Sequence, residues 1–232
     1  MIISFSKMRT LVGRLRADTS GLAMIEFAYA LPFLFGVTGY GVEMVNLAAI
    51  NTKISQSANA LGDNMSRVGL TSALSTTQIR EADVVDSFKG VERQTVDVNI
   101  LARGRVILSS LQQNSSGGQW IAWQRCTGAK VVSSSYGVQG DGATGTSFTG
   151  MGPTGAKIQA PPGSAVMFVE VIYDYKPIFT TVFIPARTIK YHASFIVRDE
   201  RELAGPSPAD ADGIFNPSPT ASVKSCSTYS AT

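Results

Sequence analysis

The sequence predicts an α+β fold: a long N-terminal helix, membrane-spanning in its first half, followed by a small antiparallel sheet domain. Two patterns carry this prediction. Apolar residues dominate the stretch from 22 to 42, and beyond it they recur at spacings of three and four, as on a helix. After about residue 90 the spacing changes to two, which is typical of half-buried strands.

Composition points to a chain that is only partly in water. Of the 232 residues, 44% are hydrophobic and 16% are charged, whereas soluble domains usually carry about 25% charged residues. The net charge of +3 is located entirely in residues 1–21, so the rest of the chain is formally neutral. Nucleic-acid-binding domains carry a basic face. We therefore expect no nucleic-acid partner.

The first element is a basic leader, residues 1–21, followed by a transmembrane helix at 22–44. The run from Leu22 to Val42 contains one charge, Glu26. At about 1.5 Å per residue it crosses a hydrocarbon core of roughly 30 Å. A secretory signal would have a shorter apolar region and a small-residue cleavage site. Because basic residues precede the helix, the positive-inside rule predicts a cytoplasmic N-terminus and an external body.

Some residues inside this run are unusual for a membrane helix. A carboxylate there costs about 3 kcal/mol, so Glu26 has either a partner or a position near the headgroups. Pro32 removes a helical hydrogen bond and predicts a kink. Gly36, Gly39 and Gly41 allow close approach of another helix, although membrane helices also tolerate glycine without one.

Residues 45–90 are expected to form a helical stalk outside the membrane. The first helix continues on an apolar stripe to about residue 68, and Gly69 ends it. A second helix is predicted from Thr76 to about Lys89. The antiparallel sheet domain occupies 91–203. Its strands are predicted at residues 96–100, 120–126, 166–175 and 189–197.

Two parts of the body are predicted to be irregular. Ser133 to Gly163 is rich in Gly, Ser and Thr, and we expect a long loop that is too polar to pack. Residues 204–232 are rich in Pro, Ser and Ala and are expected to form an extended tail. Cys126 and Cys226 are either unpaired or joined. A disulfide is favoured because it would hold the tail to the domain in an oxidising compartment.

No catalytic set emerges, and we expect the chain not to be an enzyme. His192 is the one histidine, and its alternation with apolar neighbours predicts a solvent-facing position on a strand. Residues 140–145 fit the G-x-G-x-x-G pattern but lack the flanking strand and helix of a dinucleotide site. Two cysteines and one histidine do not form a zinc-ligand set. We expect no cofactor, no metal and no small-molecule substrate.

Gly21-Leu22-Ala23-Met24-Ile25-Glu26-Phe27 resembles the processing site of type IV pilins and pseudopilins. In that family a basic leader and a glycine precede four apolar residues and a glutamate, and a prepilin peptidase cuts after the glycine. The resemblance implies cleavage between Gly21 and Leu22. It also implies that Glu26 pairs with the new N-terminal amine of its own or a neighbouring subunit, since opposite charges compensate each other in a low dielectric.

The wider pattern over residues 14–50 is similar to the TadE-like pseudopilins of the tight-adherence (Flp, type IVb) pilus system. The matching features are the arginine-rich leader, the core Ile25-Glu26-Phe27-Ala28 and Pro32 within the helix. Phe27 stands where many members have tyrosine. The resemblance implies a pilin-like fold in the bacterial inner membrane, with a periplasmic body that can reach the cell surface in a pilus. Its implied partners are a prepilin peptidase, other pilins, the inner-membrane pilus platform and membrane lipid.

Three functions remain open at this point. The first is a minor pseudopilin whose Glu26, Phe27 and Pro32 serve subunit assembly. The second is an uncleaved, signal-anchored envelope protein whose body binds a periplasmic partner or peptidoglycan. The third is a tethered periplasmic hydrolase, which would need a nucleophile and base that this sequence barely supplies.

Overall fold

The computed structural model describes residues 5–72, 75–179, 181–205 and 212–231. The helices are α1 (Phe5–Ala17), α2 (Ser20–Arg67), α3 (Glu81–Gln94) and α4 (Ile100–Arg103). The strands are β1 (Leu70–Ser72), β2 (Ser75–Arg80), β3 (Gly104–Gln113), β4 (Gln119–Thr127), β5 (Ala165–Tyr175), β6 (Arg187–Ile196) and β7 (Ile214–Phe215). A long apolar N-terminal helix and a small antiparallel sheet confirm the α+β class.

The chain divides into two compact units. The first contains Met1–Asn46 together with Pro177–Pro185, and the second contains Leu47–Lys176 together with Ala186–Thr232. Residues 1–4 of the leader and 206–211 of the tail lie outside the described residues. The helix α2 continues through Pro32 and contributes to both units.

In the second unit, α2 contributes an apolar stripe to the core. The buried members of the stripe are Leu47, Ile54, Ala58, Leu61 and Met65. Packing against the sheet is close at Gly62, where an added Cβ would lie 2.6 Å from Cδ2 of Phe195 on β6. This part of the helix is therefore fixed by burial, which contributes most of the stability of helices in proteins.

The main sheet has four antiparallel strands in the order β4-β3-β5-β6. Its two central strands, β3 and β5, are buried along almost their whole length. The outer strand β6 alternates between exposed and less exposed residues, as the sequence predicts. A second, smaller sheet joins β1, β2 and β7, with β2 antiparallel to β1 and parallel to β7.

The predicted strand at residues 96–100 is wrong. The chain turns at 95–99 and enters the short helix α4. Asn99 has φ 51°, a left-handed conformation that interrupts an extended strand and for which asparagine is among the better-suited residues. The strand begins at Gly104 instead. No alternation marks β3, because it is buried on both faces.

The predicted second helix starts five residues too early. Residues 75–80 form strand β2, and α3 begins only at Glu81. The helix start is set by Arg80, whose backbone N–H donates to Oδ2 of Asp83 at 2.9 Å and whose guanidinium pairs with the same carboxylate. An acidic residue in the first turn also suits the positive end of the helix dipole.

The expectation that Ser133–Gly163 is too polar to pack is wrong. The segment has little regular structure, but Met151 and Ala160 are buried in one core cluster with the sheet residues Leu111, Ile121, Val166 and Phe168. Tyr136, Phe148 and Ile158 pack against this cluster. A few apolar side chains in a polar segment are enough to fasten it over the sheet.

The described part of the tail is held to the sheet. Cys126 on β4 and Cys226 form a disulfide. The buried guanidinium of Arg105 on β3 donates to the carbonyl oxygens of Cys226 and Thr228, each at 2.7 Å. Burial lowers the pKa of Arg105, and its guanidinium lies 4.4 Å from the ring centroid of Tyr229. The tail is therefore fastened by one covalent and several polar contacts.

Candidate functional site

The first unit exposes an apolar helix surface. Thirteen large apolar side chains of α2 between residues 22 and 45 are exposed: Leu22, Met24, Ile25, Phe27, Tyr29, Phe33, Leu34, Phe35, Val37, Tyr40, Val42, Met44 and Val45. Monomeric soluble proteins rarely expose apolar patches beyond a few hundred Å². Among the described residues, α2 is the one helix long and apolar enough to cross a membrane.

The residues of the predicted processing site lie together at the start of this helix. The helices α1 and α2 are separated by Asp18 and Thr19, which are not helical. The backbone N–H of Leu22 donates to the carbonyl of Thr19 at 3.1 Å, so the Gly21–Leu22 bond lies in the first turn of α2. Gly21 is exposed, and an added Cβ there would meet nothing within 4 Å.

Glu26 follows Leu22 at the spacing that places two residues on one helix face. Four residues correspond to about 6 Å along the helix axis, and side chains at i and i+4 lie above one another. Glu26 is exposed and so is Phe27, at 61%. Pro32 is exposed further along the same helix. Leu22 and Glu26 therefore lie on the same face of α2, about one helical turn apart.

The first unit contains a buried acid, Glu43, for which sequence reasoning assigned no role. Its side chain has no exposed surface. The carboxylate accepts hydrogen bonds from the backbone N–H of Ile178, at 3.0 and 3.1 Å, and of Phe179, at 3.3 Å. The available signals were an acid directly after the apolar run and an uncharged apolar segment between two strands.

The contacts of His192 and Glu170 are with other residues of the body. His192 is exposed on β6, as expected, and its ring stacks on Phe168 at 5.9 Å between centroids. Glu170 is buried and accepts hydrogen bonds from the hydroxyl of Ser134 and the backbone N–H of Ser135. Within the described ranges, no three His, Cys, Asp or Glu residues are grouped as a metal site would require.

A buried ion pair joins α3 to the main sheet. Arg125 on β4 donates from Nε to both carboxylate oxygens of Glu81 on α3, at 2.8 and 3.1 Å, and both side chains are almost fully buried. The pair fixes α3 against the sheet edge. The residues at 140–145 form turns and bends without a following helix, so they do not form a dinucleotide-binding turn.

Comparisons of the chain with protein-family models, with curated proteins and with solved structures find no match. The features that bear on function are the exposed residues Gly21 to Glu26, an exposed apolar helix and a body with one disulfide.

Proposed function

We propose that this chain is a minor pseudopilin, an assembly component of a tight-adherence type IV pilus system. It acts by packing with other subunits in the inner membrane and at the base or tip of the pilus. The observation that carries the proposal is the motif from Gly21 to Glu26, exposed in the first turns of a long apolar helix. The helix continues into an α+β body.

In this proposal the leader is removed and α2 becomes the assembly element. A prepilin peptidase cleaves the exposed Gly21–Leu22 bond, and the new amine of Leu22 pairs with Glu26. The pairing removes much of the cost of a carboxylate near hydrocarbon, because both charges are compensated. Phe27 and the other exposed apolar side chains then contact lipid and neighbouring helices.

The cysteines support a body outside the cytoplasm. Disulfides persist in oxidising compartments such as the periplasm and are rare in the cytosol. Cys126 and Cys226 are joined in the second unit. A cytoplasmic basic leader and a periplasmic body are the orientation that the positive-inside rule favours.

The first test is the mass of the mature chain. The full-length protein is expressed with and without a prepilin peptidase, extracted from membranes and measured intact. A chain beginning at Leu22 only when the peptidase is present supports the proposal. If the chain still begins at Met1, the uncleaved envelope anchor becomes the better account.

A matched pair of glycine variants makes this test specific. Gly21→Leu should block cleavage because it changes the residue before the cut. Gly13→Leu is the control, since Gly13 lies in the leader helix α1 and, like Gly21, has nothing within 4 Å of an added Cβ. Equal cleavage of both variants would show that the peptidase does not recognise Gly21.

A further inference from the structure

We propose that the segment Pro177–Pro185, which connects β5 to β6, is a second membrane-contacting element. We call it the β5–β6 loop. It inserts apolar side chains into the lipid interface beside α2. This inference needs α2 to cross a membrane, but it does not depend on cleavage or on a role in pili.

The loop is fastened to α2 at two points one helical turn apart. Two of its backbone N–H groups, those of Ile178 and Phe179, donate to the buried carboxylate of Glu43. The ring of Phe183 lies against Gly39, where an added Cβ would be 2.9 Å from Cε2 of that ring. Gly39 therefore serves contact within the chain, whereas the sequence offered it for contact with another helix.

The fastened loop directs apolar side chains outward. Ile178 is 57% exposed, Phe179 is 58% exposed and Val182 is 83% exposed. The loop has no charged residue. Irregular backbone is costly to place in lipid, because its N–H and C=O groups have no water there to bond. The carboxylate of Glu43 accepts from two backbone N–H groups of the loop, which removes part of this cost and leaves the apolar side chains exposed.

The attachment points place the loop at the boundary of the membrane span. Gly39 lies inside the apolar run 22–42, and Glu43 follows it by about 6 Å along the helix. Tyr40, on the same stretch of helix, is half exposed, and aromatic residues are enriched at membrane interfaces. In the chain, exposed Lys176 and Arg187 flank the loop, and such side chains reach lipid headgroups from apolar surroundings.

Lipid fits this surface better than a protein partner does. A stable protein interface buries about 1,000 Å² or more, which is far more than the three exposed side chains of one loop supply. Lipid requires no such area, and the exposed apolar side chains of α2 belong to the same unit as the loop. The occupant is therefore the acyl-chain and headgroup boundary of the bilayer that α2 spans.

The test uses a polarity-sensitive fluorophore on the full-length protein in liposomes. Val182→Cys is labelled while the native cysteines stay in their disulfide. Val131→Cys is the matched control, because Val131 is a valine of similar exposure, 77%, in the second unit. Ile178→Cys provides a second position if the first variant fails to fold.

The expected result is blue-shifted emission at position 182, quenched several-fold more strongly by a lipid with a quencher near its headgroup than by aqueous iodide. Position 131 should show the opposite preference. Equal iodide quenching at 182 and 131 would overturn the proposal. Protection of 182 from both quenchers would also overturn it, since a protein partner would then cover the loop.

Discussion

Replacing both Cys126 and Cys226 by serine should lower the free energy of unfolding of the body by about 3–5 kcal/mol. The disulfide joins residues 100 positions apart. In the chain-entropy model a loop of that length restricts the unfolded chain by about 4.7 kcal/mol, and measured values usually fall somewhat lower. Arg105 still holds the tail carbonyls in the variant, so the native fold should be retained.

The assay is urea unfolding of the detergent-solubilised full chain, followed by tryptophan fluorescence. Both tryptophans, Trp120 and Trp123, lie on β4, and Trp123 is 1% exposed. Reduced wild-type protein is the control and should unfold at the same urea concentration as the double variant. A difference of less than about 1 kcal/mol in unfolding free energy between oxidised wild type and the variant would refute this prediction, since closing a loop of this length should contribute several kcal/mol.

Two further predictions concern single contacts in the second unit. Gly62→Ala should destabilise the protein although alanine favours helices by about 0.5–1 kcal/mol, because its Cβ would meet Phe195 at 2.6 Å. Gly90→Ala, with nothing within 4 Å, should stabilise it. Asp174→Asn should cost about 0.5 kcal/mol at neutral pH, since its half-exposed ion pair with Lys130 is screened. The difference between this variant and wild type should disappear in acid.

The stability difference between Asp174→Asn and wild type depends on pH because the pKa of Asp174 is lowered in the folded protein. Burial pushes that pKa up, but hydrogen bonds from Lys130 and Thr188 and the charge of Lys130 outweigh it. A carboxyl with a lowered folded-state pKa stabilises the fold above its ordinary value of 3.8, and the contribution is lost as pH falls through the folded pKa. Thermal unfolding from pH 7 to pH 2.5 measures this. If Asp174→Asn remained less stable than wild type at pH 2.5, the charge of Asp174 would not be the cause of the difference.

Controls for these variants come from exposed positions. Asp86→Asn removes an exposed ion pair with Lys89 and should change stability by less than about 0.5 kcal/mol at any pH.

In urea unfolding, Gly62→Ala and Gly90→Ala should shift the midpoint in opposite directions. Equal shifts would show that Phe195, which is only half-buried, rotates away from Gly62 without cost.

Long periodic elements could be predicted from the sequence, because their patterns are local. The helix α2 and the strands β4, β5 and β6 follow directly from apolar spacing. The strand β3 escaped prediction because burial on both faces removes the alternation that identifies strands. The alternation at residues 96–100 led to a wrong strand prediction, because the left-handed conformation of Asn99 interrupts the extended backbone that a strand requires.

The candidate site divides in the same way. The segment from Gly21 to Glu26 is a local pattern, so the residues alone are enough to predict a processing site there, and that site stays a prediction. The role of Glu43 could not be recognised, because its partners are backbone N–H groups 135 positions away, at Ile178, and next to it at Phe179. Because nearly every residue has a backbone N–H, residue types do not show which of these groups will bind a carboxylate. Only the fold brings it to the carboxylate.

The most direct test of the pseudopilin role is the number of surface filaments on cells, counted by electron microscopy. The host is a bacterium that carries this chain and a tight-adherence pilus system. Deletion should abolish or sharply reduce filaments, and wild type should restore them. Glu26→Gln should restore them poorly, whereas Glu92→Gln, at an exposed acid of α3, should restore them fully. A deletion strain with a normal number of filaments would contradict the proposed function.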